Sequence, residues 1–314
     1  MDWGQTAVLV SCVAWACRVF GGRSGRECRS WLLFPSVTGI NAVTVKVAAF
    51  YKFVSVEDPI ALQFAFREAC AAQGVKGTIL IAREGINGTI SGTDDGIDTL
   101  LATITADARF TDLVVKFSKA AAHPFQRLKV KVKREIVTFG IPEAEPACAT
   151  GELVEPEDWN ALISDPDVVV IDTRNDYEFA VGTFEGACNP QTRAFNEFPD
   201  YVRRTLSDDR SRKIAMFCTG GIRCEKASAF LIREGFPNVY QLKGGILRYL
   251  ERIAPEESLW RGACFVFDER VAVEHGVRQG QYALCSRCGF PIKHGRESND
   301  ALCVQCQEVR CNQT

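Results

Sequence analysis

The chain has 314 residues, of which 46% are hydrophobic and 24% charged, with a formal net charge of −2. That size and apolar content suit two or three domains with ordinary cores, and the near-balance of charge excludes a globally basic nucleic-acid binder, so attraction to nucleic acid has to come from a local patch. Fourteen cysteines are many, but paired C-x-x-C spacings late in the chain and a reactive-looking cysteine in mid-chain fit a reducing compartment better than a disulfide scaffold.

The apolar stretch at residues 7–17 is shorter than the roughly 18 to 20 residues of a membrane span, so no membrane association is expected. Asp2 precedes it with no Lys or Arg, against a secretory signal. Residues 18–29 then hold Arg18, Arg23, Arg26 and Arg29 against Glu27 alone. Two readings of this leader, residues 1–45, stand level: a transit peptide, or an extension outside the folded domains. The expected location is intracellular, cytoplasmic or, with a transit peptide, organellar (plastid or mitochondrion).

Folded structure is expected from residue 46. Residues 45–54 read as a strand, and Asp58-Pro59 as a helix cap and first-turn proline ahead of Leu62, Phe66, Ala69 and Cys70 at helical spacing. Residues 75–82 form a second strand; the turn chemistry of 83–88, with its Asn-Gly pair, predicts a hairpin into a short strand at 89–91. Ile97, Leu100, Leu101 and Ile104 mark a second helix, and further strands are expected at 113–117 and 129–139. The order βαββαβ predicts a ferredoxin-like sandwich over residues 46–141.

The end of that domain is basic: Lys116, Lys119, Arg127, Lys129, Lys131, Lys133 and Arg134, with no acidic residue among them. In a strand Lys129, Lys131 and Lys133 share one face. Such a face could track RNA phosphates or serve only to keep an edge strand from aggregating. Phe125 and His123 have the chemistry to stack on bases, with core packing the favoured alternative.

Residues 142–153, with Pro142 and Pro146, read as a linker, and residues 154–253 as a second domain. A helix at 156–163, a buried strand at 168–171, a helix at 198–206, strands at 213–217 and 239–242 and helices at 224–234 and 245–252 predict a parallel sheet covered on both faces. Residues 254–314 form a cysteine-rich tail. Cys285-x2-Cys288 and Cys303-x2-Cys306 have nearly zinc-ribbon spacing, so a structural zinc is expected there. Cys264 and Cys311 fall outside this pattern, and His123, His275 and His294 are too scattered to form a metal triad.

The chemistry concentrates in Met216-Phe217-Cys218-Thr219-Gly220-Gly221-Ile222-Arg223-Cys224-Glu225-Lys226. An apolar strand ends at Cys218, a glycine turn follows, and a helix begins. Inward-facing N–H groups and a helix N-terminus lower a thiol's pKa and make a nucleophile. In C-x5-R phosphatases the arginine is the sixth residue after the cysteine; here Arg223 is the fifth, and the smaller loop suits a cysteine that carries sulfur. A persulfide on Cys218 would then be held by loop amides with Arg223 balancing its charge. The alternative is a buried cysteine before a glycine-rich turn.

With Asp172-Thr173-Arg174-Asn175-Asp176-Tyr177-Glu178-Phe179, and with Gly235 to Val239 followed by Leu242 to Gly245, the loop resembles the rhodanese family over residues 152–252. Asp172 and Arg174 are expected to brace the loop rather than react. The segments from Lys76 to Thr89, Arg127 to Glu135, Gly182 to Ala187 and Cys218 to Lys226 extend the resemblance to the rhodanese-domain tRNA uridine hydroxylases. That resemblance implies 5-hydroxyuridine formation at the wobble uridine, position 34, with molecular oxygen as co-substrate and an electron donor that no motif identifies. It implies Cys218 as the active residue, acting through a persulfide loaded by a sulfur donor, with Gly220, Gly221 and Arg223 forming its loop. It raises the phosphate-binding reading of the basic face, with the tRNA anticodon region as partner. Cys224 either packs under the loop or exchanges sulfur with Cys218.

Two other functions compete. A sulfurtransferase passing sulfur from thiosulfate to an acceptor needs only the second domain, and leaves the basic module and tail unexplained. A non-enzymatic RNA-binding adaptor leaves the intact Cys218 loop unexplained.

Overall fold

The structure, a computed structural model, describes residues 44–206, 208–293, 302, 303 and 306. The leader through residue 43, His294 and Cys311 lie outside the described residues. Ala42–Thr314 forms one compact unit.

The first sheet contains β1 (Val45–Phe53), β2 (Lys76–Ala82), β3 (Gly85–Gly92), β4 (Val115–Ala120) and β5 (Leu128–Val132), in the order β4-β1-β3-β2-β5. Helices α1 (Pro59–Ala72) and α2 (Asp94–Thr105) connect β1 to β2 and β3 to β4. This is the expected ferredoxin-like βαββαβ arrangement with β5 added parallel to β2 at one edge. Asp58 caps α1 by accepting the N–H groups of Ile60 and Ala61 at 3.0 Å, a contact worth about 1 kcal/mol. Leu62, Phe66 and Cys70 of α1 and Ile97, Leu100 and Ile104 of α2 pack on Ala48, Phe50, Ile79, Ile81, Ile90 and Val130. The alternate strand residues therefore face away from both helices.

The hairpin turn is tighter than expected. It consists of Arg83 and Glu84, and Asn87-Gly88 lies inside β3, where Asn87 pairs with both Tyr51 and Leu80. Flanking pairing on both sides overrides the local turn preference of Asn-Gly. The strand expected at 129–139 also stops early. Its last ladder bond is Lys133 N–H to the Ile81 carbonyl at 2.8 Å; thereafter Glu84 accepts the Ile136 N–H at 2.7 Å and Glu135 accepts that of Phe139. Carboxylates in place of strand partners steer this segment out of the sheet, and Phe139 joins the core of the next domain.

That domain holds a four-stranded parallel sheet in the order β6-β10-β9-β7, from β6 (Glu152–Val154), β7 (Val168–Asp172), β9 (Lys213–Phe217) and β10 (Val239–Leu242). The strand β6 begins within the segment read as linker. Around the sheet lie α3 (Pro156–Ile163), α4 (Asp176–Phe179), α5 (Phe198–Thr205), α6 (Ile222–Arg233) and α7 (Gly245–Arg252), while β8 (Gly182–Phe184) pairs with β11 (Trp260–Gly262). Two apolar cores sandwich the sheet, one around Phe198, Phe230 and Met216 and the other around Trp159, Phe184, Phe217 and Tyr249.

The tail has two parts. β12 (Cys264–Phe265), β13 (Ala272–Glu274) and β14 (Arg278–Gln279) make a small sheet against the rest of the molecule, and β15 (Tyr282–Leu284) pairs with β16 (Pro291–Lys293) beside the cysteine knuckles. Among the described residues no helix is long and apolar enough to cross a membrane.

Candidate active site

Cys218 follows the last residue of β9, at the carboxyl end of the parallel sheet, where open sheets place their sites. Its Sγ accepts the Gly221 N–H at 3.1 Å. Gly221 has φ of +103°, and a Cβ there would lie 2.8 Å from the Tyr51 hydroxyl, so both the turn and the approach of the first domain require glycine. Gly245 has the same need from the other side, since a Cβ would sit 2.5 Å from the Cys218 carbonyl oxygen. This close approach lets Ile246 N–H donate to the Cys218 carbonyl at 3.0 Å and Leu247 N–H to that of Thr219 at 3.1 Å. With its carbonyls tied to α7, the loop turns N–H groups toward the sulfur. Gly220 lines the cavity at Cys218, and a Cβ on it would meet nothing within 4 Å.

Burial pushes the Cys218 thiol up, but the Cys224 thiol hydrogen bond, the Arg223 charge and the N–H groups of Cys224 and Gly221 outweigh it and bring it well below the ordinary thiol range. Burial and that shared hydrogen bond push Cys224 far up. The two thiols are thus pushed in opposite directions, and the Cys224 sulfur stands 3.6 Å from the Thr173 hydroxyl.

Arg223 is more committed than its place in the loop suggests. Its two terminal nitrogens meet the two Glu178 oxygens at 2.7 and 2.8 Å, and one also reaches the Thr219 hydroxyl at 3.2 Å. It acts on Cys218 as a fixed positive charge locked by the fully buried Glu178. Asp172 and Arg174, both fully buried, form a second bidentate pair at 2.9 and 2.6 Å, and Arg174 also donates to the Gly182 carbonyl. Thr173 between them donates its N–H to the Phe217 carbonyl at 3.0 Å. The pair therefore braces the strand end that carries Cys218.

Cys218 opens onto a cavity of about 600 Å³ whose walls come from all parts of the unit. The second domain contributes Thr219, Gly220, Arg223 and Asn196; the face of the first sheet turned away from its helices contributes Ala49, Tyr51, Thr78, Asn87, Thr89 and Lys116; and the tail contributes Phe267, Asp268 and Arg270. Lys226 of α6 fixes this assembly. It is buried, and its Nζ lies 2.8 Å from Glu84 and 3.4 Å from Glu135 of the first domain. On the tail side Arg270 pairs with Asp268 at 2.6 Å and donates to Ser118 at 2.7 Å.

The basic residues do not form a single patch. Lys116 and Lys119 sit on one edge strand, β4, and Lys129 and Lys131 on the other, β5. Register carries Lys129, Thr78, Thr89, Ala49 and Lys116 across the sheet in one row. Because residues alternate between faces, Lys119 falls on the helix side, beside Lys46, which pairs with Asp98 of α2. Lys129 and Lys131 are exposed on the cavity-floor face, and Lys133, Arg127 and Arg134 are exposed beyond the strand. Lys116 alone of these reaches the cavity at Cys218. Phe125 also lines it, whereas His123 is held by the Ser91 hydroxyl at 3.1 Å.

The sulfur atoms of Cys285, Cys288, Cys303 and Cys306 lie within 4.8 Å of one another, with Cys288 and Cys303 at 3.6 Å. Tetrahedral thiolates at about 2.3 Å from a metal would stand about 3.8 Å apart, so the four sulfurs fit a metal ion.

Sequence reasoning missed Glu178 as the partner of Arg223, Lys226 as the interdomain anchor, and Tyr51 and Phe267 as cavity walls. The acidic residue of the Asp172 to Phe179 motif signalled Glu178; the others are visible only once distant segments meet.

Residues 45–136 match the model of the UPF0176 acylphosphatase-like domain, and residues 155–252 that of the rhodanese-like domain. A solved rhodanese-like domain from Anabaena sp. is 20% identical, over 36% of this chain and 80% of that one, with a TM-score of 0.30. The tRNA uridine(34) hydroxylase of Sinorhizobium medicae is 53% identical over 84% of this chain and 85% of its own length. Those of Rhizobium etli and a Synechocystis species are 57% and 53% identical, over 78% and 80% of this chain and 80% and 90% of theirs. With such identity sustained across both domains, the chain belongs to the tRNA uridine(34) hydroxylase family.

Proposed function

We infer that this protein is an oxygen-dependent tRNA hydroxylase that forms 5-hydroxyuridine at wobble position 34, with Cys218 as its nucleophile. The observation that carries this reading is the shared cavity. Its sulfur loop comes from the rhodanese-like domain and its floor from the open face of the first sheet, bordered by Lys129 and Lys131. An unstacked base can enter such a space while its backbone phosphates stay outside on the lysines. A sulfurtransferase acting on thiosulfate would leave the floor, the tail wall and the Lys226 anchor without a purpose, so that alternative is not favoured.

In this reading the loop N–H groups and the fixed Arg223 charge hold an anionic sulfur on Cys218, as thiolate or as persulfide loaded by a sulfur donor. Tyr51, Asn87 and Phe267 position the ring. Lys129, Lys131, Lys133, Arg127 and Arg134 are the candidates for contact with the anticodon arm, together with Lys119 on its other face. Molecular oxygen supplies the hydroxyl oxygen, and an external donor supplies electrons. Zinc is the metal for the four tail sulfurs, and the setting is an intracellular reducing one, cytoplasmic or organellar.

The test is nucleoside mass analysis of unmodified tRNA incubated with the purified chain, with and without oxygen. 5-Hydroxyuridine at position 34 in air only, absent with Cys218→Ser, is the expected result. Unchanged nucleosides with brisk sulfur transfer from thiosulfate to cyanide would overturn it.

A further inference from the structure

Three cations line the cavity among the described residues: Arg223, Arg270 and Lys116. Both arginines are spent. Arg223 is clamped by Glu178, and Arg270 by Asp268 and Ser118. Lys116 is in no ion pair among the described residues, although the Glu225 carboxylate is near enough to act on its charge. Its Nζ rests 5.1 Å from the centre of the Tyr51 ring, and Tyr51 in turn is tied to Glu225 at 3.3 Å and packs on Gly221 of the sulfur loop.

This lysine belongs to the cavity by construction. The register Ala49↔Lys116 puts it on the floor face of β4, half-buried, while Lys119 of the same strand points to the other face and is exposed. Burial pushes Lys116 down to about 8, aided by the nearby Arg248 and opposed by the charges of Cys218 and Glu225, which pull it up. Near neutral pH it is therefore a charged donor whose proton is loosely held. A lysine needed only for phosphate contact gains nothing from such a place, since exposed ammonium groups do that work from the rim.

We propose that Lys116 is a catalytic residue of this site, the cation that holds the uracil carbonyl oxygen made negative when sulfur attacks the ring. This rests on the function inferred above. In the step, the anionic sulfur on Cys218 forms a bond to C6, the C5–C6 π pair shifts to make a C4–C5 double bond, and the C4–O4 π pair settles on O4, leaving an enolate. No proton needs to move and no oxidant is consumed. The Lys116 ammonium stabilises the O4 charge and so leaves C5 electron-rich for the later hydroxylation. A preorganised donor aimed at charge that develops during reaction acts on rate rather than on binding.

The experiment compares wild type, Lys116→Met and Lys116→Arg in the full chain. Lys116→Met is expected to lower kcat for 5-hydroxyuridine formation about 100-fold or more while the Kd for tRNA changes by less than about threefold, and Lys116→Arg to recover part of the rate. A separate readout needs no tRNA: the rate of Cys218 alkylation by iodoacetamide against pH should show an inflection near 8 in the wild type that vanishes in Lys116→Met. Folding does not confuse the result. Lys116 is depressed in the folded state, so its charged form opposes folding below about pH 8 and that opposition fades as pH rises toward the ordinary lysine value. The melting temperature of Lys116→Met at pH 7 should therefore equal or exceed that of the wild type. A Lys116→Met protein with wild-type kcat and weakened tRNA binding makes the residue a phosphate contact and overturns the assignment alone. A wild-type chain that leaves uridine unchanged overturns the function on which the assignment rests.

Discussion

The two cysteine-rich regions set the same side chain in opposite surroundings. At Cys218 one sulfur stands alone among N–H groups, a fixed guanidinium and a donating thiol, and it opens onto a cavity. In the tail four sulfurs, from Cys285, Cys288, Cys303 and Cys306, face one another within 4.8 Å. A thiolate held by donors is available to attack, while thiolates gathered around a point are available to bind a metal. The surroundings, rather than the residue, set the chemistry.

The strongest way to break this contrast is to exchange the sulfur for oxygen in each place. Cys218→Ser should abolish 5-hydroxyuridine formation while the chain still folds, with the unfolding midpoint at neutral pH lowered, because a thiol held below its ordinary range stabilises the folded state there. Cys285→Ser should spare Cys218 alkylation and instead lower the metal content of the purified protein, measured by atomic emission against chain concentration. Loss of alkylation in the tail variant would mean the two regions are coupled.

A smaller effect separates the charges from the sulfur. Glu178→Gln leaves Arg223 buried without its anion and should cost about 3–5 kcal/mol in urea unfolding. Burial pushes the Glu178 carboxyl up, but the Arg223 ion pair, the Arg174 charge and the Asn175 N–H outweigh it and hold the carboxyl below the ordinary range. Its contribution is therefore present above the ordinary glutamate pKa and is lost as pH falls through the lower folded value. The glutamine variant should show a flatter acid-unfolding curve; an unaltered curve would show that the pair contributes nothing to stability.

Breaking the domain contact tests whether the cavity depends on assembly. Lys226→Met leaves Glu84 and Glu135 facing each other without a cation, and a loss of about 3 kcal/mol together with a weaker response of Cys218 alkylation to tRNA is expected. The smallest effect lies at the rim. Lys129→Ala and Lys131→Ala should each weaken tRNA binding a few-fold and lower the salt dependence by about one counterion, with kcat unchanged; a kcat defect would place them inside the site.

Much of the chain was legible as sequence because its signals are local. The Asp58-Pro59 cap, the spacing of Leu62, Phe66 and Cys70, and the strand, glycine turn and helix around Cys218 each depend on neighbours a few residues away. The Asn87-Gly88 turn was misplaced for the opposite reason: paired strands on both sides held it extended against its local preference. The lysines looked like one patch because sequence proximity hides which sheet edge and which face each occupies.

By itself the sequence determined the two domain types, the strand, glycine turn and helix around Cys218, and the two cysteine knuckles, since patterning and motif spacing follow from backbone geometry. Tertiary structure alone decided that Arg223 is committed to Glu178, that Lys226 joins the domains, and that Lys116 reaches the cavity while Lys119 does not. Charge pairing and burial depend on side chains brought together from distant parts of the chain, and no local period encodes them.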